Sequence, residues 1–123
     1  MLCDVPCSGL GVIGRKPDIK YRVSLSGIEE LILLQRTILH NAAAYVRPGG
    51  VLVYSTCTIG HMENYDNARW FAENYPFEFE SLDPYLPREL HSVTTEKGYL
   101  QTIPGIHPMD GFFMARFRKA RQL

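Results

Sequence analysis

The sequence predicts an α/β fold with a partly parallel sheet. Strand-like and helix-like segments alternate along the chain, as they do where crossover helices join neighbouring strands. Residues 51–55 (VLVYS) form an almost continuous apolar run with β-branched residues, which is typical of a strand buried on both faces. A helical pattern precedes this run and another follows it, so the first two strands should be parallel.

The first elements follow from local signals. Residues 2–5 predict the end of a buried strand, and Pro6 ends it because proline has no amide hydrogen. Residues 6–25 predict a long loop, and loops of this length in compact domains are usually functional. A capping box at residues 26–29 (SGIE) begins a helix, and residues 47–50 (RPGG) end it.

The second half is predicted in the same way. Residues 77–82 alternate apolar and polar side chains with the period of a strand. Proline and glycine make the segment before the last two strands irregular. The full prediction is a helix over 63–74, a strand over 77–82, irregular structure over 83–98, a short strand over 99–103 and a last strand over 111–118.

Composition limits the class of protein. The chain has 123 residues, 46% of them hydrophobic, which is enough for one modest core. Three cysteines are normal as free thiols in a reducing compartment. There is no apolar run long enough for a membrane span, and we expect a cytoplasmic protein. The abrupt start on a strand predicts a fragment of a longer protein.

Charge argues weakly against a stand-alone nucleic-acid binder, because the formal net charge is zero. Two basic clusters exist nevertheless. The first contains Arg15, Lys16, Lys20 and Arg22, and the second lies within residues 116–121. Phosphate binding and ordinary surface charge are both open interpretations of the first cluster.

A nucleotide site is one alternative function, because residues 9–14 (GLGVIG) match the G-x-G-x-x-G pattern directly after a strand. The third glycine should open a helix that holds the pyrophosphate. Pro17 would lie in the first turns of that helix, which argues against the site.

A zinc site is the second alternative, with Cys3, Cys7, Cys57 and His61 as ligands. Cys3 lies within an apolar strand, where a small buried side chain is the more ordinary role.

Nucleophilic catalysis is the third interpretation. Cys7 and Cys57 each follow a predicted parallel strand, and Asp4 lies at the end of the first. In an open α/β sheet, ligands bind outside the carboxyl ends of the strands, and a thiolate is a strong nucleophile. From spacing alone, two buried structural cysteines are an equally good interpretation.

Four collinear motifs carry a family resemblance. Residues 4–9 (DVPCSG) resemble a D-A-P-C-S-G loop, and residues 56–58 (TCT) resemble a T-C-S motif. Residues 11–20 and 101–119 resemble the segment after the first cysteine and a closing H-x-x-D-G-F-F-x-A signature. Together they resemble the Nop/Sun family of RNA (cytosine-5) methyltransferases, with the bacterial Sun-type ribosomal RNA small subunit methyltransferase B group as the nearest.

The resemblance implies that residues 1–123 are the C-terminal half of a Rossmann-like S-adenosylmethionine-dependent methyltransferase domain. This half contains strands four to seven in a mixed sheet, with the last strand antiparallel. The first half of the domain and an N-terminal RNA-binding domain would be absent. The uncovered first strand then predicts a homodimer of the chain, or a reorganised N-terminus.

The resemblance also implies the chemistry, which is methylation of cytosine carbon 5 in RNA, with 16S ribosomal RNA as the expected substrate. Cys57 would attack carbon 6 and Cys7 would assist product release. Asp4 would contact the cytosine edge and, with Pro6, the methyl donor S-adenosylmethionine. Most of the donor site would lie in the absent half, so the isolated chain should be inactive.

The resemblance is incomplete in the helix after Cys57, where the family often has two glutamates before an asparagine. Here the sequence is Met62-Glu63-Asn64. In the closing signature, we expect His107 and Asp110 to fix a loop rather than to take part in the chemistry.

Overall fold

The computed structural model describes residues 1–8, 25–106 and 110–121. Within these residues it contains five strands, three α-helices and two short 3₁₀ turns. In chain order they are β1 (Leu2–Asp4), α1 (Leu25–Tyr45), β2 (Val51–Thr56), α2 (Tyr65–Asn74), β3 (Phe77–Phe79), the 3₁₀ turns Asp83–Tyr85 and Arg88–Leu90, α3 (Val93–Lys97), β4 (Tyr99–Gln101) and β5 (Phe113–Lys119).

The strands form one mixed sheet in the order β1-β2-β5-β3, with β4 also paired to β5. Strands β1 and β2 are parallel, with Cys3 opposite Tyr54. Strand β5 is antiparallel to β2, β3 and β4. The α/β class, the mixed sheet and the antiparallel last strand are therefore as the sequence predicts.

The core lies on the face of the sheet that the helices cover. Alternate residues of β5, namely Phe113, Ala115 and Phe117, are buried there, because successive side chains of a strand point to opposite faces. Phe71 of α2 packs on them, with its ring centroid 5.2 Å from that of Phe117. Buried aromatic pairs of this kind contribute beyond the area they bury.

Several boundaries differ from the prediction. Helix α2 begins at Tyr65 rather than at residue 63, because the backbone of Asn64 is not helical (φ −103°, ψ −97°). Helix α1 begins at Leu25, so Ser26 lies inside the helix rather than at its cap.

The segment predicted to be irregular contains a short helix. Strand β3 ends at Phe79, and α3 follows after the two 3₁₀ turns. Ser92 caps α3 in a reciprocal capping box with Thr95. Threonine takes the place of the glutamate or glutamine that usually marks this motif, which is why the sequence pattern did not show it.

Strand β1 lies at the edge of the sheet. Among the described residues, no strand pairs with its outer side. No helix in the described part of the chain is long and apolar enough to cross a membrane.

Candidate active site at the two cysteine loops

The structure brings Cys7 and Cys57 together. Because β1 and β2 are parallel, the segments that follow them leave the sheet at the same edge. The backbone N–H of Cys57 donates to Sγ of Cys7 over 3.3 Å. Cys57 is exposed and Cys7 is half-buried, and neither is in a disulfide. The Cys7 thiol therefore lies against the backbone of Cys57, at the carboxyl ends of the two parallel strands.

Asp4 and Pro6 lie at the same edge. The Ser55 hydroxyl donates to Oδ1 of Asp4 over 2.8 Å, which orients the exposed carboxylate at the end of β1. The carbonyl of Pro6 accepts a hydrogen bond of 2.8 Å from Nε2 of Gln35 on α1. The backbone just before Cys7 is thus held by the first helix.

The carboxylate of Glu63 lies beneath the Cys7 loop and is fully buried. Its Oε1 accepts from the backbone N–H of Ser8 at 2.9 Å and from Nε2 of Gln35 at 3.1 Å. Its Oε2 accepts from the Ser8 hydroxyl at 2.8 Å. These bonds satisfy a carboxylate that would otherwise be costly to bury.

The two cysteine loops are joined through the residues that follow each cysteine. Ser8 Oγ and Thr58 Oγ1 are 2.8 Å apart. A serine hydroxyl has one hydrogen, and the hydroxyl of Ser8 donates its hydrogen to Glu63, so Thr58 is the donor in this pair. Thr58 Oγ1 in turn accepts from the backbone N–H of Gly60 at 3.1 Å.

Asn64 holds the turn after Cys57 from the inside. Its Oδ1 accepts from the Thr56 hydroxyl, and its Nδ2 donates to the carbonyl of Thr58 at 2.8 Å. Nδ2 also donates to Oε1 of Gln101 at 2.6 Å, which ties the turn to β4. The position of Cys57 therefore depends on both α2 and the antiparallel part of the sheet.

Beneath these residues, Tyr54 and Asn67 lie fully buried in the core. The buried hydroxyl of Tyr54 donates to the carbonyl of Glu63 and accepts from Nδ2 of Asn67. Burial raises the pKa of Tyr54 well above its ordinary value, so the phenol stays protonated as a donor. Cys3 is also buried, and burial raises the pKa of its thiol, as suits an inert core cysteine.

Sequence reasoning missed several of these polar residues, because their partners are distant in the chain. Gln35 could have been found from the sequence, because it is a polar residue on the buried stripe of an otherwise apolar helix face. In the sequence, Thr58 stands out only as part of the T-C-S motif, and Glu63 only as the start of a helix and as the single glutamate before Asn64. The polar residues without an assigned role were Ser8, Gln35, Thr58, Glu63, Asn64 and Gln101.

Some predicted sites lie outside the described residues. These are Arg15, Lys16, Lys20 and Arg22, the glycine pattern at residues 9–14, and His107. Asp110 is described, and its carbonyl accepts from the hydroxyl of Thr102 at 2.7 Å.

The zinc alternative gains no support from the structure. Within residues 1–8, 25–106 and 110–121, no three His, Cys, Asp or Glu side chains are grouped so that they could hold a metal ion. Cys3 is a buried core residue rather than a ligand.

The mixed sheet, its antiparallel last strand and the paired cysteines at the carboxyl edge define part of a Rossmann-like methyltransferase domain. The family described as 16S rRNA methyltransferase RsmB/F matches residues 1–118. The chain belongs to this family.

Curated relatives agree with this assignment. A ribosomal RNA small subunit methyltransferase F of Shigella flexneri serotype 5b (strain 8401) is 40% identical over 125 residues, covering 100% of this chain and 26% of the relative. The protein of the same name from Enterobacter sp. (strain 638) is 42% identical over 121 residues, with 97% and 25% covered. The motifs had suggested the B-type group, and the family description names both B and F. The chain spans about a quarter of the length of these relatives.

Two solved structures share the fold. NSun6 from Pyrococcus horikoshii, solved with the S-adenosylmethionine analogue SFG, superposes with a TM-score of 0.79 at 31% identity, covering 98% of this chain and 30% of that one. A methyltransferase homolog protein from Pyrococcus horikoshii gives a TM-score of 0.74 at 29% identity, covering 96% and 38%.

Proposed function

We propose that the protein containing this chain methylates carbon 5 of cytosine in RNA, with small-subunit ribosomal RNA as the substrate and S-adenosylmethionine as the methyl donor. The observation that carries the proposal is the pair of cysteine thiols at one sheet edge, with the Cys57 amide 3.3 Å from Cys7 Sγ. Membership of a 16S rRNA methyltransferase family supports the substrate.

The chemistry follows from the weakness of cytosine carbon 5 as a nucleophile. The Cys57 thiolate adds to carbon 6, which pushes the electron pair of the carbon 5–carbon 6 double bond towards carbon 5. Carbon 5 thereby becomes a nucleophile. S-adenosylmethionine would supply an electrophilic methyl group to carbon 5 and would leave as S-adenosylhomocysteine, which keeps the electron pair of the broken sulfur–methyl bond. A base removes the carbon 5 proton, the double bond re-forms, and the carbon 6–sulfur bond breaks to release Cys57 as thiolate.

The difference in exposure between the two thiols supports different roles for them. Cys57 is the more exposed of the two. A nucleophile that attacks a base extruded from its stack has to be accessible in this way. Cys7 is half-buried beside it, and we assign it assistance in product release. Asp4 and Pro6 are the residues of this chain that would contact the donor, and Asp4 would also hydrogen-bond the cytosine edge.

Covalent trapping in the intact protein tests these roles. Cys7→Ala should accumulate an RNA adduct that survives denaturing electrophoresis, because attack continues while release is impaired. Cys57→Ala should form none. Cys3→Ala is the matched control, since Cys3 is buried in β1, and it should behave as the unchanged protein does. An adduct that persists in Cys57→Ala would refute the assignment.

The basic residues after the catalytic loop are proposed to hold RNA phosphates. Changing Arg15 and Lys16 together to alanine should weaken RNA binding and lower the slope of log affinity against log salt by about 1 to 2. Arg69→Ala, an exposed arginine of α2, controls for loss of general positive charge. Unaltered binding and salt dependence in the double variant would contradict the proposal.

A further inference from the structure

A single buried carboxylate lies beneath both cysteine loops. Glu63 contacts the backbone N–H and the hydroxyl of Ser8, the residue after Cys7. Ser8 then contacts Thr58, the residue after Cys57. The thiol segments are therefore joined by a link of two side chains, Ser8 and Thr58, which Glu63 anchors at Ser8. It supplements the direct contact of the Cys57 amide with Cys7 Sγ.

The Cys7 segment depends on this link more than the Cys57 segment does. Cys57 directly follows the last residue of β2, whose ladder on both sides fixes its backbone. Cys7 is the third residue after β1 ends. Its flanking backbone is held by Gln35, which donates to the Pro6 carbonyl, and by Glu63, which accepts from the Ser8 amide.

The turn after Cys57 is shaped around the same carboxylate. A Cβ placed on Gly60 would lie 2.9 Å from Oε2 of Glu63, closer than real Cβ contacts permit. The carboxylate is fully buried, and its own hydrogen bonds prevent it from swinging away. Glycine at this position lets the turn close over Glu63 and brings Thr58 within reach of Ser8.

We infer that Glu63, acting through Ser8 and Thr58, is a positioning residue that sets the separation of Cys7 from Cys57. The inference deepens the proposed function and rests on it. Glu63 does not contact the substrate. It holds the release thiol next to the attacking thiol, so its loss should slow the breaking of the carbon 6–sulfur bond more than its formation.

The test compares adduct with turnover in the intact protein. Ser8→Ala removes the hydroxyl shared by Glu63 and Thr58 while leaving the backbone N–H in place. The ratio of trapped RNA adduct to methylation rate should rise about tenfold, because small displacements of reacting groups cost rate steeply. Unfolding of part of the sample lowers both quantities equally and leaves the ratio unchanged.

Two variants of Glu63 separate positioning from simple burial. Glu63→Ala should raise the ratio at least as much as Ser8→Ala. Glu63→Gln should restore it to near the original value, because an amide oxygen can accept from the Ser8 N–H and an amide nitrogen can donate to the Ser8 hydroxyl. Failure of Glu63→Gln to restore the ratio would overturn the inference.

Thr95→Val is the matched control. Thr95 is a fully buried threonine of α3 whose hydroxyl donates to Oδ1 of Asp83 at 2.6 Å, and its hydrogen bonds do not involve the cysteine loops. It should lower the melting temperature without changing the ratio. If Ser8→Ala gives the same ratio as Thr95→Val, the link is structural only and the inference is wrong.

Thiol alkylation tests the positioning without RNA or donor. In Ser8→Ala, iodoacetamide should modify Cys7 several-fold faster while the rate at Cys57 stays the same, as measured by mass spectrometry. Unchanged alkylation of Cys7 would overturn the inference. Faster alkylation together with no adduct in Cys7→Ala would leave the positioning intact and refute the proposed function.

Discussion

Glu80, the residue after β3, pairs with two arginines of β5. Arg118 Nε donates to its Oε2 at 2.6 Å, and Arg116 approaches Oε1 at 3.1 Å. These bonds stabilise the ionised form, so the Arg118 guanidinium above all lowers the pKa of Glu80 from 4.5 to about 2. A carboxylate with a lowered folded-state pKa stabilises the fold above its unfolded pKa, and this stabilisation is lost as pH falls through the folded pKa.

Glu80→Gln should therefore destabilise the protein at pH 7 and have little effect near pH 2. The difference in the free energy of unfolding between the unchanged protein and Glu80→Gln should shrink between about pH 5 and pH 2. As pH falls, the unfolded carboxyl takes up its proton before the folded one does. Urea unfolding at several pH values measures it.

Glu73→Gln is the control for that experiment. Glu73 pairs with Arg69 on the surface of α2, where both side chains are well exposed, and such pairs contribute little to stability. If Glu80→Gln lowers the free energy of unfolding by the same amount down to pH 2, the charge-pairing account is wrong.

Other residue-level features concern polar groups in the core. In the part of the chain that the structure describes, every buried side-chain nitrogen or oxygen has a hydrogen-bond partner. Glu63, Asn64 and Asn67 are fully buried or nearly so. Their burial is tolerated only because each is bonded to several partners, which makes the site rigid.

At the scale of elements, the end of α3 shows how a glycine permits close packing. Gly98 caps the helix with φ +116°, and a Cβ there would lie 2.7 Å from the carbonyl oxygen of Glu80. The helix is fixed at its other end by the Ser92 capping box. The end of this short helix thus packs directly on the backbone of Glu80.

Gly98→Ala should destabilise the fold by more than about 2 kcal/mol, because backbone strain at positive φ adds to a clash with backbone atoms. Gly105→Ala separates the two causes, since Gly105 has φ +88° but no heavy atom within 4 Å of the position that a Cβ would occupy. It should cost about 1 kcal/mol. Chemical denaturation measures both, and equal losses would show that the clash contributes nothing.

At the scale of the whole molecule, the outer side of β1 is a sheet edge to which no other described strand is paired. The Val5 amide donates to Ser55, and the Val53 amide donates to the carbonyl of Met1. Because amides alternate along a strand, those of Leu2 and Asp4 point away from β2. Such an edge is a template for another strand.

We propose that the 123-residue chain studied alone forms a homodimer through this edge. Leu2→Lys should shift it towards monomer, because charge on an edge strand opposes pairing. Leu33→Lys is the matched control, as both leucines are 69% exposed, and it should leave the dimer unchanged. Sedimentation velocity measures the state, and a monomeric unmodified chain would contradict the proposal.

Donor binding belongs to the same scale. The chain spans about a quarter of its relatives, and of the donor site we assign it only Asp4 and Pro6. We expect no micromolar binding of S-adenosylmethionine by the 123-residue chain alone. Isothermal titration calorimetry measures this directly, and a micromolar dissociation constant would show that these residues suffice.

Much of the fold was determined by the sequence by itself. Periodicity and breakers are local, so they predicted the two long helices, the buried strand β2 and the position of β5 to within a few residues, while the antiparallel direction of β5 was implied by the family resemblance. The ends of β1 and β2 also predicted that Cys7 and Cys57 would meet, because parallel strands end at one edge. The collinear motifs predicted the family that the comparisons show.

Only the tertiary structure decided how the two cysteine loops are held. Glu63 lies 55 residues from Ser8 and 28 from Gln35, so no local pattern connects them. A buried carboxylate and a surface one look alike in sequence, and burial depends on what the fold packs around them. The strand ends therefore predicted that the two cysteines would meet at one edge, while the loops that carry them are held by long-range hydrogen bonds that form only when the sheet and both helices are assembled.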